Sequence, residues 1–280
     1  MQNHRENLLN NAERLKKGKI LGDEAVEFYS DLFDFQYKKA SLWIELNLFP
    51  DLNLGKNISI EQGPIVLADP AVEELSKSIA ELAAIIEKYN QGINMQDAVR
   101  ESGSNRKNIE KIIGLLLKKE PEMFFAMSKS AGIDFEEYIF LIVNWLKPLF
   151  IALREKCGVK KTEEHKDASC PFCGYYPDMS VISAEREGRR FLRCGLCENL
   201  WPYKRIACAV CGSADAKQLE YFADEKNDRY RMDVCNSCRG YIKTIRLDKM
   251  EEIEKCDLTV ENILSAPLEG QLLERGFKRL

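Results

Sequence analysis

The sequence predicts an α+β protein, with an all-helical N-terminal domain over residues 1–157, then two tandem four-cysteine modules and short C-terminal helices. Three observations predict it. Apolar residues recur at helical spacing through the first half of the chain. None of the ten cysteines precedes Cys157, and eight of them form four Cys-x-x-Cys pairs arranged as an internal repeat. With 280 residues, 45% of them hydrophobic, the chain is long and apolar enough for a proper core.

The helices follow in order. Asp23 can cap a helix carrying Val26, Tyr29, Phe33, Tyr37, Ala40 and Ile44 on one stripe, with Pro50 as its stop. Asp69 with Pro70 reads as a cap and first-turn proline, ahead of a stripe of Val72, Leu75, Ile79, Leu82, Ile86 and Tyr89. A shorter helix over 105–119 precedes Pro121. Asp134, with Glu136 and Glu137 where the helix dipole favours acids, opens a long apolar helix. Its stretch 138–153 carries Asn144, Lys147 and Pro148 and is shorter than the ~20 apolar residues of a membrane span. It reads as a buried core helix, with no membrane insertion.

Residues 158–169, GVKKTEEHKDAS, are polar and read as a linker. Beyond it the period changes to that of strands. MSVISA and RRFLRC flank the turn EREG, QLEYFA and RYRMDVC flank DEKND, and GYIKTIRL (240–247) is a further strand. The first four-cysteine module spans 170–204 and the second 205–247, and a helical segment over 248–280 closes the chain.

Cys170-Pro-Phe-Cys173-Gly, 19 further residues and Cys194-Gly-Leu-Cys197 match Cys208-Ala-Val-Cys211-Gly, 22 further residues and Cys235-Asn-Ser-Cys238. Each copy is too short to bury a self-sufficient core and needs a staple. Four thiolates on one tetrahedral ion supply it, in zinc-ribbon or rubredoxin-like fashion, with Gly174 and Gly212 placed where the knuckle needs a positive φ. The sequential assignment gives one metal site from Cys170, Cys173, Cys194 and Cys197 and another from Cys208, Cys211, Cys235 and Cys238; an interleaved pairing would have to cross the short connector 198–207. The cofactors are two metal ions in four-cysteine sites, iron or zinc, since both accept the same thiolates.

Other classes fare less well. Cys157 and Cys256 lack partners at metal spacing and read as small packed residues, and His4 and His165, the only histidines, read as surface residues. No Ser/His/Asp set, phosphate loop or HExxH is present, and a four-cysteine site has no open position for a metal-bound water, so an enzyme is not expected. The formal net charge is -4, and residues 170–248 hold 13 basic against 11 acidic residues, which disfavours nucleic acid. Arg186, Arg189, Arg190 and Arg193 cluster on one hairpin and read as a solvated face, with a phosphate patch as the rarer reading. The N-terminus lacks the apolar stretch of a secretory signal, which points to the cytoplasm.

The segments CPFCG, CGLCENLW, KRIACAVCG, LEYF and DVCNSCRGYIKT, in this order and with Trp201, Arg205 and Gly240-Tyr241, resemble the formate dehydrogenase accessory protein family FdhE. The resemblance covers about 170–247. It implies a helical N-terminal domain with tandem rubredoxin-like modules, iron in the four-cysteine sites, and dimers. It also implies a cytoplasmic maturation factor that binds the catalytic subunit of a twin-arginine-exported formate dehydrogenase before export, while its cofactors are installed. A rubredoxin-type electron carrier and a zinc-ribbon nucleic-acid binder are the alternatives.

Overall fold

The structure is a computed structural model that describes residues 4–17, 21–47, 66–158, 165, 167–224 and 227–279. Apart from Gly158, His165 and 167–169, the segment expected as a linker lies outside the described residues, as does the expected helix stop at Pro50. The chain forms two compact units. Asp23–Val159 with Phe172–Gly174 makes one; Gln2–Gly22, Lys160–Pro171 and Tyr175–Leu280 make the other.

This division differs from a single helical domain over 1–157. The first helix, α1 (His4–Lys17), belongs to the cysteine-bearing unit, where it packs on α8 (Leu258–Leu264). Leu8 is fully buried there, but polar bonds from His4 and Asn7 to Asp257 fix the attachment, so apolar periodicity could not reveal it.

In the helical unit, α2 (Asp23–Leu46), α3 (Asp69–Tyr89) and α7 (Phe135–Cys157) pack on one another around Trp43, Leu75, Ile79, Trp145 and Phe150. Pro70 occupies the first turn of α3, where its missing N–H costs nothing, and the cap position falls on Ala68 rather than Asp69. The buried stripe of α2 is rotated from the expected one. Tyr37 and Ile44 are exposed, while Leu32, Phe35, Gln36 and Trp43 are inside. Gln36 is held inward by its amide, which donates to Asn144 Oδ1 of α7 at 2.8 Å.

Between these lie α4 (Gln96–Gly103), α5 (Arg106–Lys118) and α6 (Pro121–Ala131). Asn105 caps α5 by accepting from the Asn108 N–H at 3.0 Å. The helices α4 and α6 have no counterpart among the elements that apolar spacing predicts; α6 starts at Pro121, the residue read as a boundary. In α7 the Trp145 indole donates to Leu75 O at 3.0 Å, and the Tyr138 hydroxyl meets Ser102 Oγ at 2.8 Å. Both polar tips are thereby satisfied within a buried core. No helix among the described residues is long and apolar enough to cross a membrane.

The second unit is built on one sheet. Its strands are β1 (Pro177–Ser183), β2 (Arg189–Cys194), β3 (Leu200–Tyr203), β4 (Leu219–Asp224), β5 (Asn227–Cys235), β6 (Gly240–Leu247) and β7 (Lys278–Arg279). The order is β3-β2-β1-β6-β5-β4, with β7 pairing β6. Each sequence repeat is a three-stranded antiparallel unit, β1-β2-β3 in the first and β4-β5-β6 in the second. The copies are joined edge to edge by parallel pairing of β1 with β6, from Met179↔Lys243 to Ser183↔Leu247. Two short modules therefore share one sheet, and each covers an edge of the other. The short C-terminal helix α9 (Gly270–Glu274) and the tail place Leu272 and Phe277 against Met232, Val234 and Tyr241.

Gly240 marks where the chain must come close. A Cβ there would lie 2.7–2.9 Å from the side-chain carbons of Val210, which sits between Cys208 and Cys211. Gly240→Ala is therefore expected to push the two knuckles of the second repeat apart, at a cost of about 1–3 kcal/mol. Thermal melting would show the loss, and a second change, Val210→Ala, would recover most of it.

Candidate metal centre

The four Cys-x-x-Cys knuckles are built alike. The backbone N–H of Cys170, Cys194 and Cys208 reaches the carbonyl five residues on, in Tyr175, Asn199 and Ser213, at 2.9, 2.9 and 2.8 Å. The N–H of Glu198, Gly212 and Arg239 closes back on Cys194, Cys208 and Cys235. After each pair comes a residue in the left-handed region: Gly174 (φ 72°), Glu198 (φ 58°), Gly212 (φ 74°) and Arg239 (φ 60°). At Glu198 and Arg239 a side chain occupies a conformation that glycine adopts more cheaply, and both side chains have work there. Glu198 accepts from Thr259 Oγ1 at 2.9 Å, and the Arg239 guanidinium lies 3.9 Å from the centre of the Phe277 ring.

These turns bring the eight predicted cysteines into two groups, Cys170, Cys173, Cys194 and Cys197, and Cys208, Cys211, Cys235 and Cys238. Within each group all sulfurs lie within 4.8 Å of one another. The Cys170–Cys197, Cys208–Cys238 and Cys211–Cys235 separations are 3.6, 3.7 and 3.9 Å. A tetrahedron of thiolates bound at ~2.3 Å has an edge of ~3.8 Å, whereas a disulfide is ~2.05 Å long. The sulfur spacing thus fits one ion per group, in the sequential pairing.

Backbone amides point at the sulfurs. Leu196 and Cys197 donate to Cys194 Sγ at 3.4 and 3.5 Å, and Val210 and Cys211 to Cys208 Sγ at 3.3 and 3.4 Å. Gly240 donates to Cys238 Sγ at 3.4 Å. Such donors favour the thiolate against burial. At Cys208 burial wins and pushes the thiol up to about 12; at Cys235 the N–H groups of Cys238 and Ser237 outweigh burial and hold it below the ordinary range. A soft cation replacing these protons relieves the burial cost, which makes the donor set suitable for zinc or iron and poor for hard cations.

The other residues singled out by sequence fall elsewhere. Cys157 ends α7 and Cys256 precedes α8, both partly buried, and burial pushes the Cys256 thiol up to about 12. The Nε2 of His165 lies 2.7 Å from Ser169 O, and its ring meets Trp201 edge-on. The arginine cluster is neither a solvated face nor a phosphate patch. Arg190 is buried, with Nε donating to Ser180 Oγ at 2.8 Å, Nη1 to Ala207 O at 2.7 Å, and Nη2 3.2 Å from Asp233, so it ties the first repeat to the second. Arg193 is buried between Asp178, Thr259 and Glu198. Arg186 pairs with Glu254, and of the four only Arg189 is exposed.

His4 is not a surface residue either. Its Nδ1 lies 2.9 Å from Asp257 Oδ2 and its Nε2 3.4 Å from Glu198 Oε2, so the doubly protonated ring pins α1 to the N-cap of α8 and to the residue after Cys197. Burial alone would lower its pKa, but Glu198 and Asp257 outweigh burial and raise it to about 9. The stability this adds is complete below pH ~6.5 and is lost as pH rises through about 9, on the order of 3 kcal/mol in all. His4→Gln should therefore lower the melting temperature at pH 6.5 and change it little at pH 10.

Paired four-cysteine knuckles on a shared sheet, accompanied by a separate helical unit, define a zinc-ribbon-like protein of α+β class with two groups that could each hold a metal ion. A family model described as "FdhE, central domain" matches residues 169–205, the first knuckle pair with its hairpin. The chain is 27% identical over 280 residues to a protein FdhE homolog from Aquifex aeolicus, covering 99% of this chain and 93% of that one. It is 26% identical over 210 residues to a protein FdhE homolog from Shewanella oneidensis, covering 71% and 67%. The fold matches the crystal structure of the FdhE protein from Pseudomonas aeruginosa with a TM-score of 0.58 at 19% identity, over 98% of this chain and 91% of that one. The chain is thus similar to FdhE proteins over nearly its whole length and carries the FdhE central-domain pattern at its first knuckle pair.

Proposed function

We propose that this protein is an accessory factor for formate dehydrogenase whose eight paired cysteines hold two metal ions, one in each sequential group. In this reading it binds the catalytic subunit of a twin-arginine-exported formate dehydrogenase in the cytoplasm, before export, and supports its assembly into active enzyme. The observation that carries the reading is the pair of thiolate groups at tetrahedral spacing in a chain similar to FdhE proteins. Four thiolates complete a tetrahedral shell, so the metal has no open position at which to activate water, and the protein acts by binding rather than by catalysis. Bound iron or zinc would supply the cross-link between distant knuckles; iron would add a one-electron couple.

Affinity capture on this protein is expected to recover the catalytic subunit from its own cell, and deletion of its gene to remove formate-dependent dye reduction while the subunit is still made. Normal formate dehydrogenase activity in the deletion strain, with no second copy of the gene, would sink the proposal. A second reading, a rubredoxin-type electron carrier, is favoured by the exposure of Cys211 and Cys238. Zinc has no redox chemistry, so a zinc-only protein that still restores activity speaks for a scaffold, and one that captures the subunit without restoring activity speaks for electron transfer.

A further inference from the structure

We infer that the two four-cysteine groups divide the work of holding metal: the first is a closed structural site, and the second is an open site at which the ion exchanges with an incoming thiolate or chelating ligand. This rests on the reading that the eight cysteines are ligands. The groups occupy equivalent positions in a repeat and share knuckle geometry, yet they differ in cover. Cys170, Cys173, Cys194 and Cys197 are 3, 0, 0 and 0% exposed. Fully buried Phe172, Leu196 and Trp201 flank them in sequence, and the Asn199 amide reaches Cys170 Sγ at 3.8 Å.

In the second group Cys208 and Cys235 are buried at 6 and 1%, but Cys211 and Cys238 are exposed. These two are the second members of their pairs, the positions filled by Cys173 and Cys197 in the first copy. Their neighbours Ser237 and Arg239 are also exposed, and Ile206 stands 62% exposed just ahead of the knuckle. A groove of about 170 Å³ reaches this group at Cys208 and carries both signs of charge, with Arg205 and Arg231 beside Glu220 and Asp233.

Exchange at a four-thiolate ion proceeds through a fifth bond, which requires the incoming atom to touch the metal. At the second group that path is open along the edge between Cys211 and Cys238. An incoming thiolate forms its bond to the ion, the bond to Cys211 or Cys238 breaks, and the released thiolate takes a proton from water; no electron is transferred. At the first group the buried sulfurs have to be uncovered by local opening first, which slows the step by the population of the open form. The 235–239 knuckle is strapped by the tail, with Lys278 N–H donating to Arg239 O at 2.8 Å, the Arg239 guanidinium bonded to Arg275 O and stacked on Phe277.

The test uses the full chain loaded with zinc and an excess of a colorimetric zinc chelator. Two phases of one ion each are expected, with rates differing roughly tenfold or more. Iodoacetamide with peptide mass spectrometry should find Cys211 and Cys238 modified during the fast phase, and Cys170, Cys173, Cys194 and Cys197 protected until the slow one. Arg239→Ala, an exposed residue that is not a ligand, should speed the fast phase several-fold and leave the slow phase unchanged. Release of both ions in one phase, or alkylation of the first group as quickly as the second, overturns the inference. A chain that takes up no zinc fails earlier and differently: it removes the ligand assignment itself, and this inference with it.

Discussion

Removal of both metal ions by a strong chelator is expected to melt the cysteine-bearing unit while the helical unit keeps its circular dichroism. Structural four-cysteine sites bring roughly 10 to 16 kcal/mol of apparent binding energy that is also folding energy, against a total stability of about 5–15 kcal/mol for a domain. Nothing else in the sheet can replace a contribution of that size. The helical unit has its own core in Trp43, Leu75, Ile79, Trp145 and Phe150, and of the cysteine groups it includes only Cys173, within Phe172–Gly174. The parallel β1–β6 pairing adds a further consequence. Because the two repeats share one sheet, Cys170→Ser or Cys208→Ser should lose one ion and lower the melting temperature of the whole sheet, not of one hairpin. Two independent transitions in such a variant, or near-native melting after full chelation, would contradict this account.

What could be read from the sequence was what local spacing encodes. The Cys-x-x-Cys pairs, the glycines after Cys173 and Cys211, and the hairpins between the pairs are each recognisable from short stretches of chain, and the structure places them as expected. The left-handed residues after the other two pairs were hidden because Glu198 and Arg239 stand where glycine would have signalled them. The parallel seam between β1 and β6 joins strands far apart in the chain, and nothing in either strand names its partner. The charged interior was likewise illegible. His4 meets Asp257 across 253 positions, and an arginine at the surface and an arginine in the core have the same letter.

That last ambiguity leads to the second large effect. Arg193→Met is expected to cost about 3–5 kcal/mol, the usual penalty for breaking a buried ion pair from one side. Its Nε donates to Asp178 Oδ1 at 2.9 Å, Nη2 is paired with Asp178 Oδ2, and Nη1 reaches Thr259 Oγ1 and, at 3.9 Å, Glu198. Burial would lower its pKa, but Asp178, Glu198 and Asp257 outweigh burial and raise it, so the cation is held at every accessible pH. Without it Asp178 loses its guanidinium partner and keeps the Asn262 amide at 3.2 Å, while Glu198 and Asp257 lean on His4. Adding Asp178→Asn to Arg193→Met should recover part of the loss, because the stranded carboxylate is then neutral. Raising the pH should deepen the defect as His4 gives up its proton near pH 9, whereas in the unaltered protein Arg193 still holds the three carboxylates. Denaturant melts of the metal-loaded single and double variants at pH 6.5 and 10 measure all of this. A loss below about 1 kcal/mol for Arg193→Met would return the residue to the solvated hairpin face that its sequence suggests.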